Sequence, residues 1–229
     1  FIGRFMFSLG KVLVNAISAN FYSSGKYADE AVYGQHYGDR VTGALGISNH
    51  LGGFTTNVLN SVDESEAQII SVNLGHKNQA RALKAFSYSL IINLCLAAAG
   101  VTIFVIFNDM FVQIYAQGDA DYAKMISDIF FYERIAIIML AVNSSVNGLL
   151  YGFGYTKIAG IMNLSRVIAY RIPILLIMLY VADIGYQSVG IAMMVSNICI
   201  GLMSIVVGII YIRKIKKKNI TDTLEIGKT

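Results

Sequence analysis

The chain has 229 residues, 55% of them hydrophobic and 14% charged, with a single proline and a formal net charge of +4; its mean hydropathy is +0.59. A soluble domain carries about 25% charged residues, so a water-soluble globular fold is excluded and an integral membrane protein is expected. The apolar runs recur at a length near the roughly 20 residues that cross a bilayer as helix.

In chain order, six such runs are predicted as transmembrane helices: Phe5 to Tyr22, Val41 to Val62, Ala85 to Phe107, Met125 to Leu150, Ile158 to Val181 and Gln187 to Ile212. The second is the weakest, because Asn49, His50, Asn57 and Asn60 interrupt it. Between the third and fourth, Asn108 to Asp121 reads as a short interfacial helix. Between the fourth and fifth, "GLLYGFGYTK" from Gly148 to Lys157 reads as a glycine-rich turn. It lacks the Gly-Lys-Ser/Thr ending of a phosphate loop, and no strand precedes it. Cys95 and Cys199 lie inside apolar runs and are expected to be packed thiols. No cleavable signal peptide is visible, and an opening Phe1 in place of methionine suggests a fragment or a processed product.

Basic residues set the orientation. With a cytoplasmic amino terminus, that side holds Arg4, Lys77, Arg81, Lys84, Lys157 and the cluster Arg213, Lys214, Lys216, Lys217 and Lys218. The opposite side holds only Lys26, Arg40 and Lys124, among many acids. Both termini are therefore expected to be cytoplasmic, and the lysine-rich end reads as a headgroup anchor.

Polar residues inside the spans mark the candidate site, since ionisable side chains there cost about 2.5–3.5 kcal/mol on insertion scales. Lys11, Asn15, Ser18 and Tyr22 recur at helical spacing on the first span; Asn49, Gly53, Thr56, Asn60 and Asp63 do so on the second. On the fourth, Glu133, Ser144 and Asn147 share a face, with Asn143 beside it. These stripes either line a water-filled central cavity or hydrogen-bond neighbouring helices; taken together they favour a cavity. At ~1.5 Å per residue, Glu133 and Arg171 both fall near mid-bilayer, so an ion pair between them is possible, with Arg134 and Arg166 as alternative partners. Asp128 lies nearer the outer surface, where hydration suffices. Asp63, Glu64 and Glu66 read as a solvated rim at the cytoplasmic end of the second span.

Several motifs resemble those of multidrug and toxic compound extrusion (MATE) transporters. "SVNLGHKNQARALKAF" (Ser71 to Phe86) is similar to the family's "QNLGAGN…RA.KA" segment. "YERIAIIMLAVNSSVNGLLYGFGYTK" (Tyr132 to Lys157) resembles "YLRI…N…GLLRGLGDTK", "RIPILLIMLY" (Arg171 to Tyr180) resembles "RIPLAYLL", and "DRVTGALGISNHL" resembles a helix start of the family. The likeness runs from about Phe5 to Lys217. The chain departs from it at Gly10-Lys11, where Gly-Leu-Pro is common, at Tyr155, where Asp is usual, and in the longer segment from Ser23 to Arg40.

The resemblance implies an all-α polytopic membrane protein whose six transmembrane helices form one lobe of a two-lobe transporter. The lysine tail suggests the carboxyl-terminal lobe, with the lobe at 1–217 and a cytoplasmic tail at 218–229. It further implies a non-enzymatic antiporter in the cell membrane that exports small organic cations against H+ or Na+, without a cofactor or nucleic acid. Its partners would be the lipid bilayer and the missing amino-terminal six-helix half. The residues expected to bind substrate or ion are Glu133, Asn147, Asn143, Ser144, Asn15, Asn60, Asp63 and Arg171. A lipid-linked oligosaccharide flippase of the same superfamily is the alternative, kept open by Lys11, Arg134, Arg166 and Arg171. A membrane-embedded enzyme would need a metal cluster, and His36, His50 and His76 are scattered.

The charge asymmetry generates a direct test. Reporter fusions at Lys77 and Lys157 are expected to read cytoplasmic and a fusion at Lys26 external; a cytoplasmic reading at Lys26 rules out the six-span map.

Overall fold

The computed structural model describes residues 2–23, 31–32, 35–182 and 184–226, with side chains over 10, 12–23, 37–182 and 184–217. The side chains of Arg4, Lys11, Lys26, His36 and Lys218, used above, lie outside that set.

Six long helical segments account for nearly all of the described chain. They are α1 (Ile2–Tyr22), α2 (Tyr37–Gly75), α3 (Gln79–Ile106), α5 (Ala120–Gly152), a continuous stretch over 156–182, and α8 (Gln187–Ile226). The stretch over 156–182 comprises α6 (Thr156–Ser165), a π-helical turn (Arg166–Arg171), α7 (Ile172–Ile177) and a second π-helical turn (Met178–Ala182). The chain's one proline, Pro173, lies at the start of α7. A proline cannot donate to the carbonyl one turn back and its ring presses on that carbonyl, which accounts for a widened turn just before it. A short helix, α4 (Asn108–Ala116), precedes α5 as expected for the interfacial segment. Ahead of α2, the two-residue strands β1 (Ala31–Val32) and β2 (Gln35–His36) pair antiparallel.

Among the described residues, three helices are long and apolar enough to cross a membrane by length and composition alone: Gln79–Ile106, Thr156–Ala182 and Gln187–Lys217. The helices α2 and α5 are longer than the spans predicted from their apolar runs, and both carry several charged residues. Arg40, Asp63, Glu66, Glu133 and Arg134 among those charges are buried against other helices, whereas Asp39, Glu64, Asp121 and Lys124 are exposed. Ile91, Ile92, Ile103 and Ile106 of α3 and Leu202, Val206 and Ile210 of α8 are exposed, whereas Ser48, Asp63, Glu66, Glu133, Asn143 and Arg171 are buried. Apolar outside and polar inside is the distribution a bilayer selects, because lipid cannot hydrogen-bond.

At the centre of the bundle stands α5, most of whose residues from Met125 to Gly152 are buried, polar ones included. It packs on α2, α3 and α8, while α1 lies against α2 and α6. Toward the end where Tyr22 and Gly185 lie, named the outer end after the orientation expected from the basic residues, Val14, Leu45, Ile126, Ile129, Leu175 and Val189 share one apolar cluster. Toward the inner end Leu140, Leu150, Met162 and Ile200 share another. The Tyr22 hydroxyl donates to the Gly185 carbonyl at 2.6 Å, tying α1 to the turn before α8. At the other end Gln79 Nε2 donates to the Ile215 carbonyl at 3.0 Å.

The start of α5 is capped by Asp119, whose Oδ1 accepts from the Tyr122 backbone N–H at 2.9 Å. Its carboxylate also pairs with Arg40 at 2.9 Å. The Tyr122 amide first, and then Arg40, hold the Asp119 carboxyl below the usual aspartate range. The chain reaches this cap through Gln117 and Gly118, both at positive φ.

The glycine-rich stretch is not a turn throughout, as the sequence had suggested. Helix α5 runs on to Gly152, and only Phe153 to Tyr155 form the reversal, with Gly154 at φ +79°. The first two glycines serve contact instead. A Cβ at Gly148 would fall 2.7 Å from Glu66 Oε2, and one at Gly152 would fall 2.6 Å from the Ile70 Cβ. Gly148 and Gly152 are one turn apart, and so are Glu66 and Ile70. A small-xxx-small face of α5 thus receives α2 at close range. The two helices are parallel and in fixed register: Gly52 meets Glu133, Asp63 meets Ser144, Glu66 meets Gly148 and Ile70 meets Gly152, always 81 or 82 residues on.

This seam sets the expectation for a pair of glycine variants. Gly152→Val drives a branched side chain into Ile70 and should destabilise the purified protein by about 1–3 kcal/mol, with part of the loss recovered when Ile70→Ala is added. Nothing lies within 4 Å of a Cβ at Gly160, so Gly160→Val should cost markedly less. Equal losses in thermal unfolding for the two variants rule out the seam.

Candidate functional site

Two polar networks run through the apolar bundle, one in each half. The outer one centres on Glu133 of α5. Its Oε2 accepts a hydrogen bond from the Ser48 hydroxyl at 2.9 Å. On the next turn of α2, a Cβ at Gly52 would fall 2.8 Å from Oε1, so a larger residue there would push the carboxylate from this position. Arg171, the last residue of the first π-helical turn, is 1% exposed. Its Nη2 donates to Asn197 Oδ1 at 2.9 Å and its Nε to Ser196 Oγ at 3.3 Å, both on α8.

Glu133 and Arg171 stand within electrostatic reach of each other, and Arg166 lies within reach of Arg171. Arg134, an alternative partner in the sequence reading, turns elsewhere. Its Nη1 donates to the Phe104 carbonyl at 3.0 Å and its guanidinium lies over the rings of Phe130 and Phe131. Consecutive helical residues do not share a face, so a position next to Glu133 looks toward α3.

The inner network lies between α2, α3 and α5. The rim expected at the end of the second span is overturned for two of its three acids: Asp63 and Glu66 are 8% and 2% exposed, and only Glu64 faces outward. The reason is that α2 does not end near Val62 but runs to Gly75, so both acids lie well inside a helix. The Ser144 hydroxyl lies 2.9 Å from the Leu59 carbonyl and 3.2 Å from Asp63 Oδ2. The Ser89 hydroxyl donates to Glu66 Oε2 at 2.5 Å, and Asn93 Nδ2 donates to Ser145 Oγ at 2.9 Å.

The remaining expected residues are dispersed around these networks. Asn143 looks the other way and accepts from Ser204 of α8 at 2.8 Å. Asn147 is buried, one residue from the Gly148 contact. Asn15 and Asn60 are half-buried. The α2 stripe of Asn49, Gly53, Thr56 and Asn60 forms a half-exposed face, on which Asn49 and Thr56 bond back to carbonyls of their own helix. Asp128 accepts from the Tyr186 hydroxyl at 2.7 Å. Burial, and then this bond, push the Tyr186 phenol up to about 12. Cys95 and Cys199 are free; Cys95 is exposed on α3, not packed as expected.

Eight contributors escaped the sequence reading: Ser48, Glu66 as a buried acid, Ser89, Asn93, Ser145, Ser196, Asn197 and Ser204. A usable signal was present. Ser89 and Asn93 are spaced i, i+4 in an otherwise apolar helix, and a polar pair at that spacing reads as one face. Among the described residues no group of three or more histidines, cysteines and acids is placed to hold a metal ion.

Comparison with known proteins accords with this architecture. No curated protein sequence matches the chain. A crystal structure of a MATE protein in complex with MaL6 shares its fold with a TM-score of 0.80 at 12% identity, over 94% of this chain and 45% of that one. The outward-facing conformation of a multidrug resistance MATE family transporter of the MOP superfamily gives the same values. A MOP superfamily transporter from Pyrococcus furiosus, whose structure is described as having a binding pocket of reverse polarity, gives 0.79 at 12% identity over 93% and 44%. The chain thus spans less than half the length of these structures. The MatE family model matches residues 16–177, which takes in α2, α3 and α5 whole and parts of α1 and of the stretch over 156–182, and the chain belongs to the MatE family.

Proposed function

We propose that the chain is one lobe of a secondary antiporter that exports small organic cations in exchange for H+ or Na+. The observation that carries this reading is Glu133: a buried carboxylate on the central helix, held by Ser48, seated against Gly52 and facing the Arg171 guanidinium on an interrupted helix. An acid of this kind gains little for stability relative to its insertion cost, and a carboxylate that exchanges its counter-charge supplies what coupled transport requires. Broken helices near mid-membrane recur at the substrate and ion sites of secondary transporters. The lobe would rock against a second lobe of similar size, which fits a chain spanning 45% of the matched structures. The half-exposed α2 face, with Asn60 and Asn49, and the α1 residue Asn15 would then line the cleft between lobes. Asn143, Ser144 and Asn147 would shape it from α5, and Asp63 would bound its inner end. The protein would sit in the cell membrane with both termini cytoplasmic, as the basic residues imply.

The test uses Glu133 in the full-length protein. Glu133→Gln keeps the shape and removes the charge. A coupling role gives normal membrane abundance with efflux of a cationic dye lost, or no longer responsive to pH or Na+. Falling abundance, restored by Glu133→Gln combined with Arg171→Gln, would assign the pair a structural role only. Gly52→Ala moves the carboxylate by about 1 Å and should lower efflux by about 10- to 100-fold while Glu133 itself is intact. Full gradient-dependent efflux in both Glu133→Gln and Gly52→Ala removes this carboxylate from the mechanism.

A further inference from the structure

The inner network holds two carboxylates where proton donors are scarce. Asp63 and Glu66 of α2, Ser89 and Asn93 of α3, and Ser144 and Ser145 of α5 meet there, all at most 8% exposed. A hydroxyl has one proton to give, and a carboxylate or an amide oxygen has none. The Ser89 proton goes to Glu66 Oε2, and Ser144 directs its own toward the Leu59 carbonyl and Asp63.

Two oxygens remain that accept no hydrogen bond: Glu66 Oε1 and Asn93 Oδ1, on residues 2% and 0% exposed. They belong to one locality. Ser89, which holds Glu66, is one helical turn from Asn93, and Asn93 uses its Nδ2 on Ser145, which leaves its oxygen without a donor. The missing Cβ of Gly148 lets the Glu66 carboxyl lie flat against α5.

Among the described residues no fixed cation is placed against these two oxygens. The groups that bear on Glu66 are Ser89 and Asp63, and the second of these is also acidic. On α3, the charged Arg81 and Lys84 are exposed one to two turns nearer the inner face. On α5, Tyr151 engages Asn163. Buried polar oxygens without donors cost about 1–3 kcal/mol each, and more for an ionised carboxylate. What complements an excess of acceptors and negative charge is a positive ion.

We propose that Glu66, with Asn93 Oδ1 and the neighbouring Asp63, binds one monovalent cation, H+ or Na+, at a site between α2, α3 and α5 that is separate from Glu133. Binding there adds the missing charge at the closest contact of the α2–α5 seam, so occupancy and the packing of the seam depend on each other. Its use as a coupling site rests on the transport reading; the binding itself does not.

The experiment therefore reads binding and not efflux. The purified full-length protein is titrated with Na+ at fixed pH, with K+ as control, and with acid in the absence of Na+. Thermal unfolding and the infrared bands of carboxyl groups are followed in both titrations. For Na+, the expected result is a saturable rise in unfolding temperature that K+ does not produce; for H+, it is the growth of a protonated-carboxyl band. Because Glu133 would add a response of its own under the transport reading, the comparison is made in a Glu133→Gln background: either response should still be present there and vanish when Glu66→Gln is added. Asn93→Leu leaves both acids in place, covers the case in which Glu66→Gln fails to fold, and should weaken the response by about tenfold. A response that survives Glu66→Gln and Asn93→Leu in that background, or that is already lost in Glu133→Gln alone, overturns the site, as does the absence of any response to either ion. Dye efflux without a Glu66-dependent response would refute the site and leave the transporter reading standing, whereas the reverse result would refute only the transporter reading.

Discussion

The constraint on which the rest of the structure depends is the close parallel approach of α2 and α5. Two helices running the same way cannot be joined by a short turn. The chain between them must return across the bundle, and α3 makes that crossing before α4 leads into α5. The approach is possible because glycine stands at the points of contact, Gly52 on one helix and Gly148 and Gly152 on the other. The glycine contacts of this pair share one register, so a side chain added at one of these points would strain the others as well.

With the backbones this close, polar groups can be satisfied across the seam where no water is at hand. Ser48 reaches Glu133, Ser144 reaches the Leu59 carbonyl and Asp63, and Ser71 reaches the Gly152 carbonyl. The third and sixth long segments complete the set, α3 through Ser89 and Asn93 and α8 through Ser196, Asn197 and Ser204. The result is a bundle whose specificity resides in a few exact polar matches, while its outer isoleucines and valines face a solvent that is indifferent to sequence.

Much of the architecture was legible in the chain itself, because hydropathy reports what lipid demands. The apolar runs located the long helices, and the polar break from Asn108 to Asp121 located α4. The inner reach of α2 was not legible: Asp63, Glu64 and Glu66 look like the end of a span when nothing shows that α3 and α5 surround two of them. The role of Gly148 and Gly152 was hidden for a similar reason, since glycine is the preferred residue both for a reversal and for contact between helices. Glu133 and Arg171 stood out as charges in apolar surroundings. The serines that hold them, Ser48 and Ser196, are too common in membrane helices to be noticed without their partners.

The two π-helical turns that flank Pro173 bear on mechanics. A π turn contains one residue more than an α turn, with weaker and less regular hydrogen bonding, and the stretch over 156–182 has one at each end of α7. The central pair is stiff, keyed at several points along its length, whereas this neighbouring rod is built with slack. Load applied to the lobe would therefore be borne by the keyed pair and taken up as bending in the slack rod. Arg171, at the softer joint, would travel with that bend while Glu133 stays fixed in the stiff frame. The distance between opposite charges then becomes a gauge of how far the lobe is bent.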